Sequence, residues 1–165
     1  MEPNTLAGAD SPWFALYVKP RHEKNVASIL RGKGFEEFVP VYDRRTPSRT
    51  TQLPLFPSYV FCRFDHNRRL PILSTPGVFA IVEFGGAPVP VPEDQIASLR
   101  TVVARGMTRY PWPDLPAGRK VRINAGPLQG IEGVVVVSRS VSRLIVSVDL
   151  LRRSVAVEVD RDWLE

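Results

Sequence analysis

The spacing of hydrophobic and polar positions changes several times along the chain, and each change marks an element. Trp13–Val18 (WFALYV) is apolar and aromatic throughout, the pattern of a buried strand. Pro20 suits a first helical turn, and beyond it Val26, Ile29 and Leu30 recur at helical spacing. They predict a helix over 22–33, stopped by Gly32 and Gly34. Phe38–Tyr42 reads as a second strand. The polar stretch 43–52 (DRRTPSRTTQ) reads as an exposed loop or hairpin tip. Strand character returns over 53–64, where Pro57 confines the regular strand to Ser58–Phe64. Asp65 and Asn67 are cap residues for a short helix through Leu70, Ile72 and Leu73. Thr75-Pro76-Gly77 is a turn, and Val78–Phe84 is a further strand ended by Gly85-Gly86. Ile96, Leu99, Val102 and Val103 line one face of a helix over 92–105, with Glu93 and Asp94 well placed near its N-terminus.

Behind a polar tail (1–11), this order of strand, helix, strands, short helix, strand and helix predicts a compact α+β domain over 12–108. Residues 109–116 contain Pro111, Pro113 and Pro116 and read as a short, stiff linker. From 117 to 165 the pattern changes again. Lys120–Ile123, Glu132–Val137, Arg143–Val148 and Ser154–Val159 are Val-rich, and the last alternates, with Val155, Val157 and Val159 on one face and Ala156 and Glu158 on the other. Short β-branched strands joined by tight turns predict a small barrel with a small core.

Composition narrows the class. The chain has 165 residues, 44% of them hydrophobic, enough for packed cores and too many for a disordered chain. No apolar run approaches a membrane span, and the first residues lack the basic and apolar regions of a secretory signal. Cys62 is the only cysteine, so no internal disulfide can form. These features predict a cytoplasmic protein with no membrane contact. The net charge of +5 suits contact with nucleic acid without demanding it. Arginine outnumbers lysine, which occurs only at Lys19, Lys24, Lys33 and Lys120. Bidentate phosphate contact favours arginine, and a GC-rich genome produces the same bias.

Two motifs turn the pattern into a family. Gly118-Arg119-Lys120-Val121-Arg122-Ile123, followed by Gly126-Pro127-Leu128-Gln129-Gly130-Ile131-Glu132-Gly133-Val134, resembles the KOW motif at the start of SH3-like barrels. Val121 and Ile123 alternate with Lys120 and Arg122 as a half-buried strand requires. Gly126 and Gly130 suit a positive φ, and Gly133 suits a close approach of strands. Trp13-Phe14-Ala15-Leu16-Tyr17-Val18-Lys19, Leu55-Phe56-Pro57-Ser58-Tyr59-Val60-Phe61 and Ser74-Thr75-Pro76-Gly77-Val78 together resemble the N-terminal (NGN) domain of NusG proteins. The two in this order cover 11–165. Leu-Phe-Pro-Ser-Tyr, Gly-Gly-Ala-Pro-Val-Pro-Val-Pro and Leu-Leu-Arg-Arg-Ser-Val-Ala-Val-Glu-Val are closer to specialised paralogs of the UpxY and RfaH type.

The resemblance implies an antiparallel-sheet NGN domain with flanking helices, followed by the SH3-like KOW barrel. It further implies a transcription elongation or antitermination factor that grips the clamp helices of the largest RNA polymerase subunit through an apolar face. The matching positions are Phe56, Pro57, Tyr59 and Phe61, with Ile81 on a neighbouring strand. Strand alternation agrees with a second apolar face. Tyr59, Phe61 and Arg63 point one way and Val60, Cys62 and Phe64 the other, so the face that does not pack on a helix needs a cover. Two buried faces with a helix on each side would satisfy the same pattern. The resemblance also implies contact with the non-template DNA strand near Lys19, Arg21, His22 and Lys24. Arg44, Arg45, Arg49, Arg68 and Arg69 are further candidates, although for any one of them a solvated face is as common as a phosphate contact. Through positions near Ile131 and Leu151, the barrel is expected to recruit termination factor Rho or a small-subunit ribosomal protein. The sequence departs from the general factors at two places: Ile131 stands where many carry phenylalanine, and Arg152 where they carry glycine. RfaH covers its polymerase face with a helical C-terminal domain, whereas the Val-rich strands here favour a barrel.

An enzyme would need a nucleophile. Cys62 with His22 or His66 is the one candidate, and a lone cysteine in an apolar strand is more often a small buried hydrophobe. No paired carboxylates, phosphate-cradling glycine loop or metal-binding HExxH is present. The expectation is a monomer without catalysis, metal or cofactor. The alternative is a ribosome-associated or RNA-binding protein carrying a KOW barrel, a class that is usually more basic and has no use for the N-terminal domain.

Overall fold

The computed structural model describes residues 10–164. Most of the expected tail therefore lies outside the described residues. The chain divides into two compact units, one built from 10–39 and 56–93 and the other from 40–55 and 94–164.

The first unit is a four-stranded antiparallel sheet with two helices. Its strands are β1 (Trp13–Val18), β2 (Glu36–Phe38), β5 (Tyr59–Arg63) and β6 (Val78–Ile81), in the order β2-β5-β1-β6. Helix α1 (Glu23–Gly32) and the single turn of α2 (Leu70–Leu73) complete it, together with a small hairpin of β7 (Glu83–Phe84) and β8 (Ala87–Pro88). One sheet face forms the core. Phe14, Leu16, Val18, Val60, Cys62, Phe64 and Ile81 pack with Val26, Ala27 and Leu30 of α1, Phe35, and Ile72 of α2. Of the apolar positions read in the sequence of α1, Val26 and Leu30 are buried, with Ala27 beside them, while Ile29 is only half-buried. The Asp65 carboxylate caps not α2 but a separate 3-10 turn (His66–Arg68) before it, accepting a hydrogen bond from Asn67 N, and α2 itself starts after Arg69 without a side-chain cap. Lys33 Nζ donates to Pro71 O (2.8 Å) and Thr75 Oγ1 (2.9 Å), tying α2 to the end of α1.

Three proline-headed turns share one geometry. In Lys19-Pro20-Arg21-His22, Phe56-Pro57-Ser58-Tyr59 and Thr75-Pro76-Gly77-Val78 the fourth amide donates to the first carbonyl, at 3.0, 3.1 and 3.1 Å. The residue after each proline has a positive φ (69, 70 and 93°), which makes these type II turns. They are zipped together at one end of β1, where Val18 N donates to Ser58 O and Lys19 N to Gly77 O, both at 2.8 Å. Only Gly77 occupies this position without strain, and a Cβ there would lie 2.9 Å from Val26 Cγ2.

The second unit holds a five-stranded antiparallel sheet. Its strands are β9 (Arg109–Trp112), β10 (Lys120–Arg122), β11 (Glu132–Val137), β12 (Ser142–Val148) and β13 (Arg153–Val159), in the order β10-β11-β12-β13-β9. The hairpin of β3 (Val41–Arg45) and β4 (Thr50–Pro54) and helix α3 (Glu93–Ala104), apart from its first residue, also fall in this unit. Four expectations change. Val78–Phe84 is not one strand but two, β6 and β7, interrupted at Val82. Phe38–Tyr42 is two strand ends rather than one strand, because Pro40 has no N–H to donate to a ladder. Residues 109–112 are not linker but an edge strand paired with β13, where the missing amide of Pro111 is tolerated. The compact units accordingly do not follow the linear limits 12–108 and 117–165. Specific bonds join the segments of the second unit: Arg109 Nε donates to Val41 O (2.8 Å), and Gln95 Nε2 donates to Asp149 Oδ2 (3.1 Å). Finally, Ala156 on β13 is as fully buried as Val155 and Val157, so both faces of that strand are covered there.

Candidate functional site

The second face of the four-stranded sheet is graded from sealed to open. In the antiparallel register Trp13, Ala15 and Tyr17 of β1 lie opposite Arg63, Phe61 and Tyr59 of β5. Phe38 of β2 lies opposite Phe61. At the sealed end, Trp13, Ala15, Phe56 and Phe61 are buried. The Arg63 guanidinium sits 5.0 Å from the Trp13 ring and forms ion pairs with Glu36 and Glu93. Phe61 meets Phe56 edge-on with centroids 5.6 Å apart, and Phe38 at 6.3 Å.

At the open end lie three aromatic rings. Tyr59 is half-buried, Tyr17 is 42% exposed and Phe79 is 56% exposed. Tyr17 bridges the other two, with ring centroids 5.9 Å from Tyr59 and 5.5 Å from Phe79. The ladder between β1 and β6 shifts between Tyr17 and Val18, and β6 carries Phe79 to this position. Beside the rings a groove runs along β6, lined by Arg69, Leu73, Phe79, Ile81 and Glu83.

The expected docking residues are thus separated. Tyr59 lies in the open cluster. Pro57 is exposed at the head of its type II turn. Phe56 and Phe61 are at most 1% exposed, so they support the face without presenting a surface. Ile81 belongs to the opposite face, where it packs in the core with α1, because its neighbour Leu16 points that way. Tyr17 and Phe79, which the sequence motifs do not single out, complete the open cluster. Alternation within WFALYV does place Tyr17 with Trp13 and Ala15, but nothing local to Val78–Ile81 reveals the register that brings in Phe79.

The basic candidates form separate groups. Lys19, Arg21 and Lys24 are exposed and His22 half-buried around the start of α1, where Arg21 N donates to Glu23 Oε1 (2.7 Å). Arg68 and Arg69 are exposed just before α2. Arg44, Arg45 and Arg49 are exposed at the end of the β3–β4 hairpin, in the other unit. In the barrel, Ile131 and Leu151 are buried at 6% and 9%, and the exposed apolar side chains are instead Val121 and Val137. Arg152 adopts a left-handed backbone (φ 53°), the conformation for which a glycine is best suited.

Burial, with the Glu37 and Glu36 carboxylates adding to it, pushes the Cys62 thiol up to about 12. The sulfur is 0% exposed, and thiolate chemistry is therefore suppressed. Folded protein is expected to resist a thiol-specific alkylating reagent that labels the urea-unfolded chain at once; rapid labelling of the native state would contradict this burial. Among the described residues there is no cluster of metal-ligating side chains, and no helix is long and apolar enough to cross a membrane.

The fold is similar to that of Thermotoga maritima NusG, in a structure concerned with its domain interaction: the TM-score is 0.53 at 21% identity, over 90% of this chain and 93% of that one. A weaker likeness, with a TM-score of 0.33 at 20% identity, covers 80% of this chain and 83% of a chain in the MjSpt4:Spt5 complex in conformation A. The family model described as NusG, transcription termination factor nusG, matches residues 11–100, more than half of the chain, and the protein therefore belongs to the NusG family.

Proposed function

We propose that the chain is a transcription elongation and antitermination factor of the specialised UpxY/RfaH type, acting in the cytoplasm without catalytic chemistry. The open end of the sheet face, Tyr17, Tyr59 and Phe79, grips the clamp helices of the largest RNA polymerase subunit, and the complex pauses or terminates less. The exposed ring cluster is the observation that carries this reading. Three large rings joined through Tyr17 at a surface mark a protein-docking site, and aromatic side chains are the commonest anchors of such sites. Phe56 and Phe61 hold the face rigid from below. Lys19, Arg21, His22 and Lys24 contact the non-template strand, and the KOW barrel recruits a second protein, Rho or a ribosomal protein.

The test is capture of purified core polymerase by the full chain. Loss of an anchoring ring costs about 2 kcal/mol or more, which is roughly a tenfold or greater loss of affinity. Tyr59→Ala and Phe79→Ala should each show that loss with an unchanged unfolding temperature, because both side chains are partly exposed. Wild-type chain that ignores core polymerase, or variants that capture it normally, would refute the docking face. A pause assay on the captured complexes then reads the effect on elongation.

A further inference from the structure

We propose, building on the reading that the chain works on a transcribing polymerase, that the β3–β4 hairpin is a blade that enters the major groove of duplex DNA. The hairpin pairs Arg44 with Thr51 and Arg45 with Thr50, and residues 43–50 are all exposed. Successive residues of a strand point to opposite faces. Arg44 therefore projects from one side of the ribbon and Arg45 from the other, with Arg49 at the end. Asp43 is the one acidic residue from 40 to 55. A surface meant for a flat anionic partner would carry its charge on one side. Charge on both sides fits a cleft with phosphates along both walls.

The tip is shaped in advance. Thr46 N and Thr46 Oγ1 both donate to Arg49 O, at 2.8 and 3.0 Å, and Arg49 N donates back to Thr46 O at 3.3 Å. The base is fixed as well. Leu55 N donates to Pro40 O (2.8 Å), and Arg109, which also donates to Met107 O (2.9 Å), holds Val41 O. Little ordering is left to be done on binding.

The chemistry selects the kind of nucleic acid. The exposed part of the hairpin, 43–50, has no aromatic ring on which an unpaired base could stack, and the ribbon's one ring, Tyr42, is half-buried at its base, so the blade lacks the exposed platform typical of single-strand binders. The major groove of B-form DNA, about 12 Å wide, admits a two-stranded ribbon, whereas that of an A-form RNA helix is deep and narrow. Thr50, Thr51 and Gln52 supply short polar side chains along the same blade.

The experiment is fluorescence anisotropy of the full chain with a labelled DNA duplex, one of its single strands and an RNA duplex, across a range of salt. Duplex DNA should bind tightest, by about tenfold. Arg44→Ala and Arg45→Ala, on opposite faces, should each reduce the slope of log affinity against log salt by about one. The triple variant R44A/R45A/R49A should lose most duplex binding and still capture core polymerase. Equal binding of the single strand or the RNA duplex, or duplex affinity untouched in the triple variant, would overturn the blade. Failure of the wild type to capture polymerase, with duplex binding intact, would count against the docking face alone.

Discussion

Gly133→Ala is expected to destabilise the barrel sharply while leaving it folded at room temperature. Gly133 lies within β11, opposite Val121, and a Cβ there would sit 2.5 Å from the Ile145 carbonyl oxygen and within 3.0 Å of the Leu144 side chain. The first of these is backbone of the neighbouring strand, fixed by the pairs Val134↔Ile145 and Val135↔Leu144. It cannot withdraw without breaking the ladder. Overpacking a tight site costs up to about 3 kcal/mol, and here the obstacle is main chain, so the upper end applies. A unit of this size has roughly 5 to 10 kcal/mol in total. The barrel transition should fall by about 15 °C, and the amides of β10 to β13 should lose protection from hydrogen exchange. Val137→Ala on the same strand, at a side chain 57% exposed, is the control and should change little. An alanine variant as stable as wild type would show that the two strands do not approach as described.

Phe61→Ala should have a comparable effect on the other unit. Its ring is fully buried and packed edge-on against Phe56 and beside Phe38. Truncating such a ring costs about 3 to 5 kcal/mol through lost burial and the cavity left behind. Denaturant unfolding should show the midpoint falling with an unchanged slope. A loss below about 1 kcal/mol would mean that the site can collapse or that the ring is not sealed. Phe61 and Tyr59 share a strand face two residues apart, yet only Tyr59 can serve to probe docking. Loss of polymerase binding by Phe61→Ala would follow from unfolding.

That pair also shows where sequence reasoning stops. The limits of β1 and β11 follow from apolar runs alone, and α1 from its helical spacing, because local pattern and final packing agree there. Gly126 and Gly130 have the positive φ (81 and 90°) expected from the turn, and Gly133 makes the close approach its place in a strand suggested. Alternation in β5 showed two apolar faces. It could not show that one of them is sealed at Phe61 and open at Tyr59, since exposure depends on chain far away in sequence. The core-facing side of Ile81 and the exposure of Phe79 are illegible for the same reason: both depend on the register of β6 against β1, which shifts at Tyr17. Strand β9 was hidden because proline normally argues against a ladder, and only its edge position makes Pro111 acceptable.

The single thiol of Cys62 turns the first unit into its own clock. Because no other thiol exists in the chain, the rate at which a modifying reagent attaches reports only how often that sheet parts from its helices. Phe61→Ala should quicken the clock, while Gly133→Ala, acting on amides beyond the reach of any cysteine, should leave its pace alone.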